Sequence, residues 1–198
     1  MSFTVDNPFA LFDQWLDQAS QSEPNDPNAM TLATQDADGT LSARIVLLKG
    51  HGEDGFRFFT NYDSRKGQAL TANPRAAALF HWKTLERQVR IEGPVERLDP
   101  TASQAYYDTR ARGSRIGAWA SLQSQPLPDR KALQDRIDGF EAEFEGQETF
   151  AKPDYWGGFL LRPMAIEFWR AGEFRLHERV RLTRDSLDSD WQQSPLYP

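Results

Sequence analysis

The sequence predicts a mainly β (α+β) protein, a closed β-barrel of antiparallel strands with a few peripheral helices. Short strand-like segments separated by turns dominate the 198 residues, whereas helix-like segments are few. The chain contains no Gly-x-Gly-x-x-Gly motif and no Walker loop, so a parallel α/β nucleotide-binding fold is not indicated. The length suits a single domain, 1–198, with a helix and linker in 1–28 and strands in 153–198.

Composition excludes several classes of function. The chain has no cysteine, which rules out disulfides, thiol nucleophiles and cysteine-ligated zinc. Its three histidines, His51, His81 and His177, are too scattered to indicate a metal site. A net charge of -6 and a pI of about 5.1 argue against nucleic acid or an anionic membrane as a partner. The N-terminus lacks the basic and apolar regions of a signal peptide, and no apolar run reaches membrane-spanning length, so we expect a cytoplasmic protein.

The first third of the chain predicts a helix followed by a pair of strands. Asn7-Pro8 is a helix start, with Asn7 as N-cap. Strands are expected at 30–34 and 41–49, and the apolar middle of the second reads as buried. Arg44 and Lys49 close the ends of that apolar run. They are either charges that snorkel at strand ends or phosphate-binding residues on one rigid element.

A third strand, 56–61, leads into a helix capped by Ser64. Arg65 and Lys66 follow the cap directly. Cations are unfavourable at a helix N-terminus, where free N–H groups and the helix dipole attract anions instead. This conflict favours an anion site over ordinary solvated charges.

The middle of the chain predicts a second phosphate site. Strands 76–82 and 87–98 form a hairpin, and Gln88 on the second strand either contacts a ligand or pairs with the backbone. A helix opened by Asp99-Pro100 carries Tyr106 and Arg110 four residues apart on one face. Ser114 is predicted to cap a short helix, 115–121, so that its hydroxyl converges with the other two groups. An amphipathic helix follows, with Leu133, Ile137, Phe140 and Phe144 at helical spacing.

The C-terminal segment predicts a β-hairpin, with Ile166, Phe168 and Leu176 facing a core. Residues 170–173 read as its turn, with Gly172 free to adopt a positive φ. Period two places Arg175, His177 and Arg179 on one face of the returning strand. Such a face is either a solvated outer surface or a binding site for an anionic or acceptor-rich ligand.

Several of these segments, in this order, resemble the pyridoxamine 5′-phosphate oxidase family of FMN-binding split-barrel flavoproteins. The resemblance runs from about Phe9 to the C-terminus. The motifs that carry it are Arg44–Lys49, Ser64–Lys66, Leu85–Val89, Ser114–Trp119, Trp156–Gly158, Glu167–Trp169 and Arg175–Arg179. It implies an FMN-binding split β-barrel that acts as a homodimer, with FMN at the subunit interface and with 153–198 completing the active site.

The resemblance also implies roles for individual residues. The implied FMN-binding residues are Arg44, Ile45, Val46, Leu47, Leu48, Lys49, Phe59, Thr60, Arg65, Lys66, Gln88, Gln123, Ser124, Trp169 and Arg179, some of them from the second subunit. The implied residues for the phosphate of the substrate are Lys49, Tyr106, Arg110 and Ser114. Arg175 and His177 would hold the pyridine ring of the substrate against the flavin and are the implied catalytic residues. No metal is implied.

The implied reaction is oxidation of pyridoxamine 5′-phosphate and pyridoxine 5′-phosphate to pyridoxal 5′-phosphate by O₂. Hydrogen peroxide is released, together with ammonia from the amine. Two alternatives remain open: a related flavin oxidase of phenazine assembly, and a non-catalytic carrier of flavin or pyridoxal phosphate. The sequence departs from the usual family pattern at a few positions, none of which lies among the implied charged ligands: Phe59, Arg115, Leu160, Arg170, Glu178 and Pro195.

Overall fold

The computed structural model describes residues 3–198, which form five α-helices and ten strands. The helices are α1 (Pro8–Ser22), α2 (Arg65–Ala72), α3 (Pro100–Asp108), α4 (Arg112–Ala120) and α5 (Arg130–Glu143). The strands are β1 (Ala29–Gln35), β2 (Leu41–Leu47), β3 (Gly50–Gly52), β4 (Gly55–Asn61), β5 (Arg75–Trp82), β6 (Arg87–Arg97), β7 (Trp156–Leu161), β8 (Ala165–Arg170), β9 (Glu178–Thr183) and β10 (Gln192–Leu196). No helix within these residues is long and apolar enough to cross a membrane.

Every ladder is antiparallel, as the sequence predicted, but the strands form the split barrel implied by the resemblance rather than the closed barrel expected from the strand pattern. One path of paired strands runs β10-β9-β8-β6-β5-β1-β2. The long strand β6 divides its second edge between two neighbours: 87–92 pair with β8, and 95–97 pair with β7, which leads on to β4 and β3. No ladder among residues 3–198 joins β2 to β4. The barrel is therefore split rather than closed between these strands, and the Lys49 N–H, after β2, donates to the Arg57 carbonyl on β4 at 2.8 Å.

Helix α1 packs on the main core of the barrel. The Asn7 side chain accepts from the N–H groups of Phe9 and Ala10 at 2.9 and 3.1 Å, which confirms the predicted cap. Phe12 is fully buried, and its ring meets the rings of Phe56 and Phe80 edge-on at 4.9 and 5.2 Å. Edge-to-face aromatic pairs of this kind hold an amphipathic helix in one orientation.

A second, smaller core lies under the helices that follow β6. Its buried members come from α3, α4, the end of α5, the α5–β7 connection and the start of β7: Tyr107, Ile116, Ala118, Phe144, Phe150 and Trp156. This cluster fixes α3 and α4 against the barrel, and both helices present residues to the cavity described below.

The burial expected for β2 was wrong. Ile45 is 61% exposed and Leu41 is 76% exposed, while Leu48, just past the strand, is buried. Strand β2 is the last on its path and pairs along its length only with β1. Its apolar side chains therefore lie at an edge of the sheet rather than in its interior.

The predicted start of α4 was also wrong. The helix begins at Arg112, and its N-cap position is Ala111, which provides no side-chain hydrogen bond. Ser114 is thus not a cap but a residue of the first turn, and its N–H donates to the Ala111 carbonyl at 2.9 Å.

The C-terminal hairpin differs most from the sequence prediction. Its connection spans 171–177, so Arg175 and His177 lie in a loop and only Arg179 lies on β9. Gly172 has a φ of -131°, whereas Phe174 and Arg175 have positive φ values of 54° and 63°. Leu176 is 67% exposed and does not face the core. Pairing of Arg170 with Glu178, rather than a tight turn, sets where the loop begins and ends.

The structure also contains a strand that the sequence did not predict. Strand β10 pairs with β9, and Pro195 within it lies opposite Val180. Proline cannot donate a ladder hydrogen bond and is tolerated on edge strands. The position of β10 at the end of the path explains why it accepts Pro195.

Candidate active site

A cavity of about 460 Å³ lies between the β2–β4 side of the barrel and helices α2, α3 and α4. A volume of this size suits a small molecule or cofactor. Eleven of the predicted site residues line it: Ile45, Val46, Leu47, Lys49, Phe59, Thr60, Lys66, Tyr106, Arg110, Ser114 and Gln123. The residues implied for the phosphate of the substrate are thus brought together with about half of those implied for the cofactor.

Lys66 is at the centre of a polar group on one side of this cavity. Its Nζ donates to Gln123 Oε1 at 2.8 Å, to Thr60 Oγ1 at 3.1 Å and to Ser64 Oγ at 3.3 Å. Ser64 also accepts from the Gly67 N–H and so caps α2, as predicted. The cap therefore places Lys66 on the first turn of the helix, where the helix dipole and the ammonium group both favour binding of an anion.

The positive charges near Lys66 are not balanced by the protein. Burial, and secondarily the charge of Arg44, lower the pKa of Lys66 to about 8. Burial and the charge of Arg65 likewise lower the pKa of Arg44. Asp36, whose charge acts on Arg44, is bound to Arg65 at 2.7 Å. Three cations beside one carboxylate give a site that favours a dianion such as a phosphate monoester.

Arg44 and Arg65 lie outside the cavity lining. The Arg44 guanidinium donates to the Leu32 carbonyl at 3.1 Å and to Thr34 Oγ1 at 2.8 Å, so it ties β2 to β1. Leu48 is buried in the main core, and Ser124, with a φ of 73°, lines a separate hollow beside α5. These predicted residues adjoin the cavity without facing it.

Arg110 provides the second cationic group of the cavity. It follows α3, and its guanidinium lies 4.8 Å from the ring centroid of Trp156. Its Nη1 is buried and has no hydrogen-bond partner among residues 3–198. Burial lowers the pKa of Arg110. A buried guanidinium nitrogen without a partner is costly unless a ligand fills the gap, so Arg110 also fits an anionic group.

The remaining predicted residues form a second group on β6, β8, β9 and the β8–β9 loop, here called the hairpin cluster: Gln88, Trp169, Arg175, His177 and Arg179. Gln88 lies opposite Trp169, which lies opposite Arg179, across neighbouring strands. The His177 ring lies 4.6 Å from the Trp169 ring, and its Nδ1 accepts from the Gly172 N–H at 3.3 Å.

Arg179 is also part of a structural ion pair. It donates to Glu167 Oε1 through Nε at 2.9 Å and through Nη2 at 2.7 Å. Glu167 is only 5% exposed. Nη1 of Arg179 donates to the Tyr197 carbonyl at 3.0 Å, which holds the C-terminal residues beside β9.

A single chain does not bring the two groups together. None of the hairpin cluster lines the cavity. The cluster lies on strands β6, β8 and β9 and their loop, whereas the cavity is lined from β2, β4 and the helices.

Sequence reasoning missed five residues that line the cavity: Asn61, Gly117, Ala118, Ser121 and Trp156. Asn61 follows Thr60 directly, and its Oδ1 accepts from the Asp63 N–H at 2.7 Å, which shapes the turn before the Ser64 cap. Gly117, Ala118 and Trp156 lie within motifs that the sequence analysis did single out. Their presence in those motifs was the only sign in the sequence that these residues belong to the site. The fold is needed to show that they face the cavity.

Comparison with known proteins identifies the family. Residues 16–143 match the family described as "Pyridoxamine 5'-phosphate oxidase". A protein of Brucella canis named pyridoxine/pyridoxamine 5′-phosphate oxidase is 51% identical over 191 residues, which cover 96% of this chain and 94% of that protein. The chain belongs to the pyridoxamine 5′-phosphate oxidase family. The Brucella ovis protein of the same name is equally similar, at 51% identity over 96% of this chain and 91% of its own length.

The C-terminal strands match a second description within the oxidase family. Residues 156–198 correspond to the "Pyridoxine 5'-phosphate oxidase C-terminal dimerisation region". This match includes β7 to β10 and thus four members of the hairpin cluster. It supports a homodimer as the assembled form of this oxidase-family chain.

Solved structures agree with the family assignment. PhzG from Burkholderia lata 383, determined in complex with tetrahydrophenazine-1-carboxylic acid, has a TM-score of 0.90 and 31% identity, covering 98% of this chain and 94% of that one. An FMN-binding protein related to pyridoxamine 5′-phosphate oxidase, from Nostoc punctiforme PCC 73102, has a TM-score of 0.75 at 17% identity and shares the fold. The split barrel is therefore the architecture of this oxidase family.

Proposed function

We propose that this protein is an FMN-dependent oxidase that converts pyridoxamine 5′-phosphate and pyridoxine 5′-phosphate to pyridoxal 5′-phosphate. With the alcohol, O₂ is reduced to H₂O₂ as the 4′ carbon is oxidised. With the amine, water is also consumed and ammonia is released as the imine is hydrolysed. The observation that carries the proposal is one cavity lined by two separate cationic groups, Lys66 on α2 and Arg110 after α3, in a chain that belongs to this family.

The two cationic groups suit the two phosphates of the reaction. Lys66, with Thr60 and Gln123, would hold the phosphate of FMN, supported by the nearby charges of Arg44 and Arg65. Arg110, with Lys49, Tyr106 and Ser114, would hold the phosphate of the substrate. When bound, the flavin accepts the hydride from the substrate and passes the electrons to O₂.

The C-terminal strands would complete each site from the partner subunit. We place Gln88, Trp169 and Arg179 against the flavin, and Arg175 and His177 against the pyridine ring. Segment 153–198 then serves dimerisation and catalysis together, with FMN at the subunit interface. These residues set the distance between the donor carbon and the flavin, which must be roughly 3–3.5 Å for hydride transfer.

The proposal is tested by oxygen uptake with FMN and either substrate. Arg110→Ala removes a charge-assisted hydrogen bond of about 1.5–3 kcal/mol, so KM for phosphorylated substrates should rise roughly tenfold or more. Flavin content should hardly change. Arg130→Ala, an exposed arginine at the start of α5, is the matched control and should behave as wild type. Protein that binds FMN but consumes no oxygen with either substrate would be a flavin carrier instead.

A second candidate is oxidation of a phenazine precursor, favoured by the structural likeness to PhzG. The lining of the cavity argues for the first function. Lys49 and Arg110 line it together with two hydroxyl groups, those of Tyr106 and Ser114, a set that suits a phosphate group. Turnover of tetrahydrophenazine-1-carboxylic acid, without turnover of pyridoxine 5′-phosphate, would select the second candidate.

A further inference from the structure

Trp156 lies behind the proposed site for the phosphate of the substrate, in contact with two of its residues. It begins β7, is 6% exposed and lines the cavity together with Tyr106 and Arg110. Its side chain belongs to the small core under α3 and α4. It thus connects the hydrophobic packing of the helices to the polar surface of the cavity.

The indole ring determines where the Arg110 guanidinium lies. Cζ of Arg110 is 4.8 Å from the Trp156 centroid and 5.9 Å from that of Tyr107. Nη1 of Arg110 has no hydrogen-bond partner within residues 3–198. The guanidinium is therefore held by ring faces, a cation–π contact, while this N–H remains available for a ligand.

Trp156 also lies parallel to Tyr106, through Phe59 and at 6.3 Å between ring centroids. Phe59 and Tyr106 stack at 3.9 Å with 20° between their planes, and Phe59 stacks on Trp156 at 5.6 Å with 14°. The planes of Tyr106 and Trp156 differ by only 8°. The three rings form one parallel wall, so the orientation of the Tyr106 ring depends on that of Trp156.

We propose that Trp156 is a positioning residue for the anionic group of the substrate and acts through Arg110. The inference rests on the proposed function, because it assigns the Arg110 end of the cavity to a phosphate monoester. Trp156 adds no hydrogen bond or proton transfer of its own. It holds the guanidinium in place before the substrate arrives.

A double-mutant cycle tests this role. Trp156→Leu should raise KM for pyridoxamine 5′-phosphate on the order of tenfold, the effect of a desolvated cation–π contact, with little change in kcat. KM for unphosphorylated pyridoxamine should not change. In an Arg110→Ala background, Trp156→Leu should have no further effect on the phosphorylated substrate.

Two further variants separate positioning from packing. Phe150→Leu also removes a ring from the small core, and that ring lies under Arg112 and Arg115 rather than Arg110. It should lower the melting temperature but leave KM unchanged. Trp156→Phe keeps a ring with a weaker electrostatic face, so it should raise KM for the phosphorylated substrate only about two- to threefold. This variant decides the question if Trp156→Leu does not fold.

Binding measurements separate failure of this inference from failure of the proposed function. Calorimetric titration of the FMN-loaded protein with pyridoxal 5′-phosphate and with pyridoxal measures ligand affinity. It therefore gives the double-mutant cycle of Trp156 and Arg110 without requiring turnover. If wild-type protein does not turn over but the cycle still couples Trp156 to Arg110, the proposed function fails and the positioning role stands. The positioning role would be overturned if Trp156→Leu weakened binding of pyridoxal 5′-phosphate and of pyridoxal equally. It would also be overturned if Trp156→Leu kept its full effect on binding of pyridoxal 5′-phosphate in the Arg110→Ala background.

Discussion

Lys66 is a cation whose surroundings in the protein favour its neutral form. Burial and the charge of Arg44 lower its pKa to about 8. Asp36, the carboxylate whose charge acts on Arg44, is already bound to Arg65. A bound phosphate dianion would raise the pKa of Lys66 again, so ligand binding and protonation of this side chain are linked.

The linkage predicts how FMN affinity depends on pH. A group whose pKa rises when a ligand binds makes its full contribution to the binding free energy at pH values below its pKa in the free protein. That contribution is lost as the pH increases beyond this pKa. The Kd of FMN should therefore be flat between pH 7 and about 8 and then rise by up to about tenfold per pH unit, since the phosphate is already dianionic in this range. Flavin fluorescence titration of the FMN-free protein measures this. Lys66→Arg, which stays charged, should give a flat profile; a flat profile for wild type would contradict the assignment.

Arg179 has a role in stability as well as its proposed role at the flavin. It provides both hydrogen bonds to Glu167 Oε1 in an ion pair whose carboxylate is buried. Arg179→Ala would leave this carboxylate without its main partner, which should cost about 3 kcal/mol in the free energy of unfolding. Urea denaturation of the FMN-free protein measures the loss.

A double variant distinguishes the two roles of Arg179. Arg179→Ala combined with Glu167→Ala removes the stranded carboxylate and should recover part of the stability. Flavin affinity should stay low in both variants, because the proposed contact with the flavin is lost in each. Recovery of flavin affinity in the double variant would mean that Arg179 acts on the flavin only through the fold.

At the scale of elements, the β8–β9 loop has a defined backbone conformation despite its exposure. A Cβ on Gly172 would lie 2.1 Å from the Leu176 carbonyl oxygen, so only glycine allows this close approach. Phe174 and Arg175 adopt positive φ, which is uncommon for residues other than glycine. Backbone strain of this kind is concentrated at functional sites.

The loop geometry predicts a strong effect of a small substitution. Gly172→Ala must displace the backbone that positions Arg175 and His177, so kcat/KM should fall at least about tenfold, or 1.4 kcal/mol. Arg175→Ala and His177→Ala should have effects of similar size, and all three should retain FMN. Gly139→Ala on α5, where a Cβ meets nothing within 4 Å, is the control and should keep wild-type kinetics. Wild-type turnover in both Arg175→Ala and His177→Ala would exclude the loop from the active site.

Elements defined by local signals were predicted well from the sequence. The caps at Asn7, Ser64 and Asp99 depend on residues two or three positions away, and each makes the expected hydrogen bond. The β8–β9 loop was missed because its shape depends on the contact of Gly172 with Leu176, which no periodicity encodes. The start of α4 was missed because Ala111 gives no capping signal.

Long-range features were beyond local reasoning. Exposure of β2 follows from its position at the end of the sheet, which depends on the pairing of all strands. Lys66 and Gln123, 57 residues apart, meet only once α2 and the segment after α4 pack together. The resemblance nonetheless pointed to Lys49, Lys66 and Arg110, which line the cavity, because a family resemblance carries information about distant residues that periodicity does not.

At the scale of the whole molecule, the predicted site residues form two groups that one chain keeps apart. The cavity lies on the β2–β4 side of the barrel, and the hairpin cluster lies on β6, β8, β9 and their loop. The apolar side chains of Ile45, in the cavity lining, and of Phe174 and Leu176, in the β8–β9 loop, are exposed. Residues 156–198 match a dimerisation region, which supports the burial of such exposed apolar side chains by a second copy of this chain in a homodimer. We therefore expect each active site to combine the cavity of one subunit with the hairpin cluster of the other.

Complementation between two impaired variants, assayed at substrate concentrations well below KM, tests this arrangement. Arg110→Ala damages the cavity and His177→Ala damages the hairpin cluster, so each homodimer should be impaired at both sites. A heterodimer of the two, isolated with two affinity tags, would have one site with both defects and one with none. It should regain about half of the wild-type turnover per dimer.

A second heterodimer provides the control for complementation. Arg110→Ala paired with Lys49→Ala places both defects in cavities, so each site keeps one of them and turnover should not recover. If each chain instead built a whole site, the Arg110→Ala/His177→Ala heterodimer would also have one defect in every site and stay impaired. Recovery in the first pair but not in the second can therefore arise only from sites shared between subunits, because no other arrangement leaves one site intact.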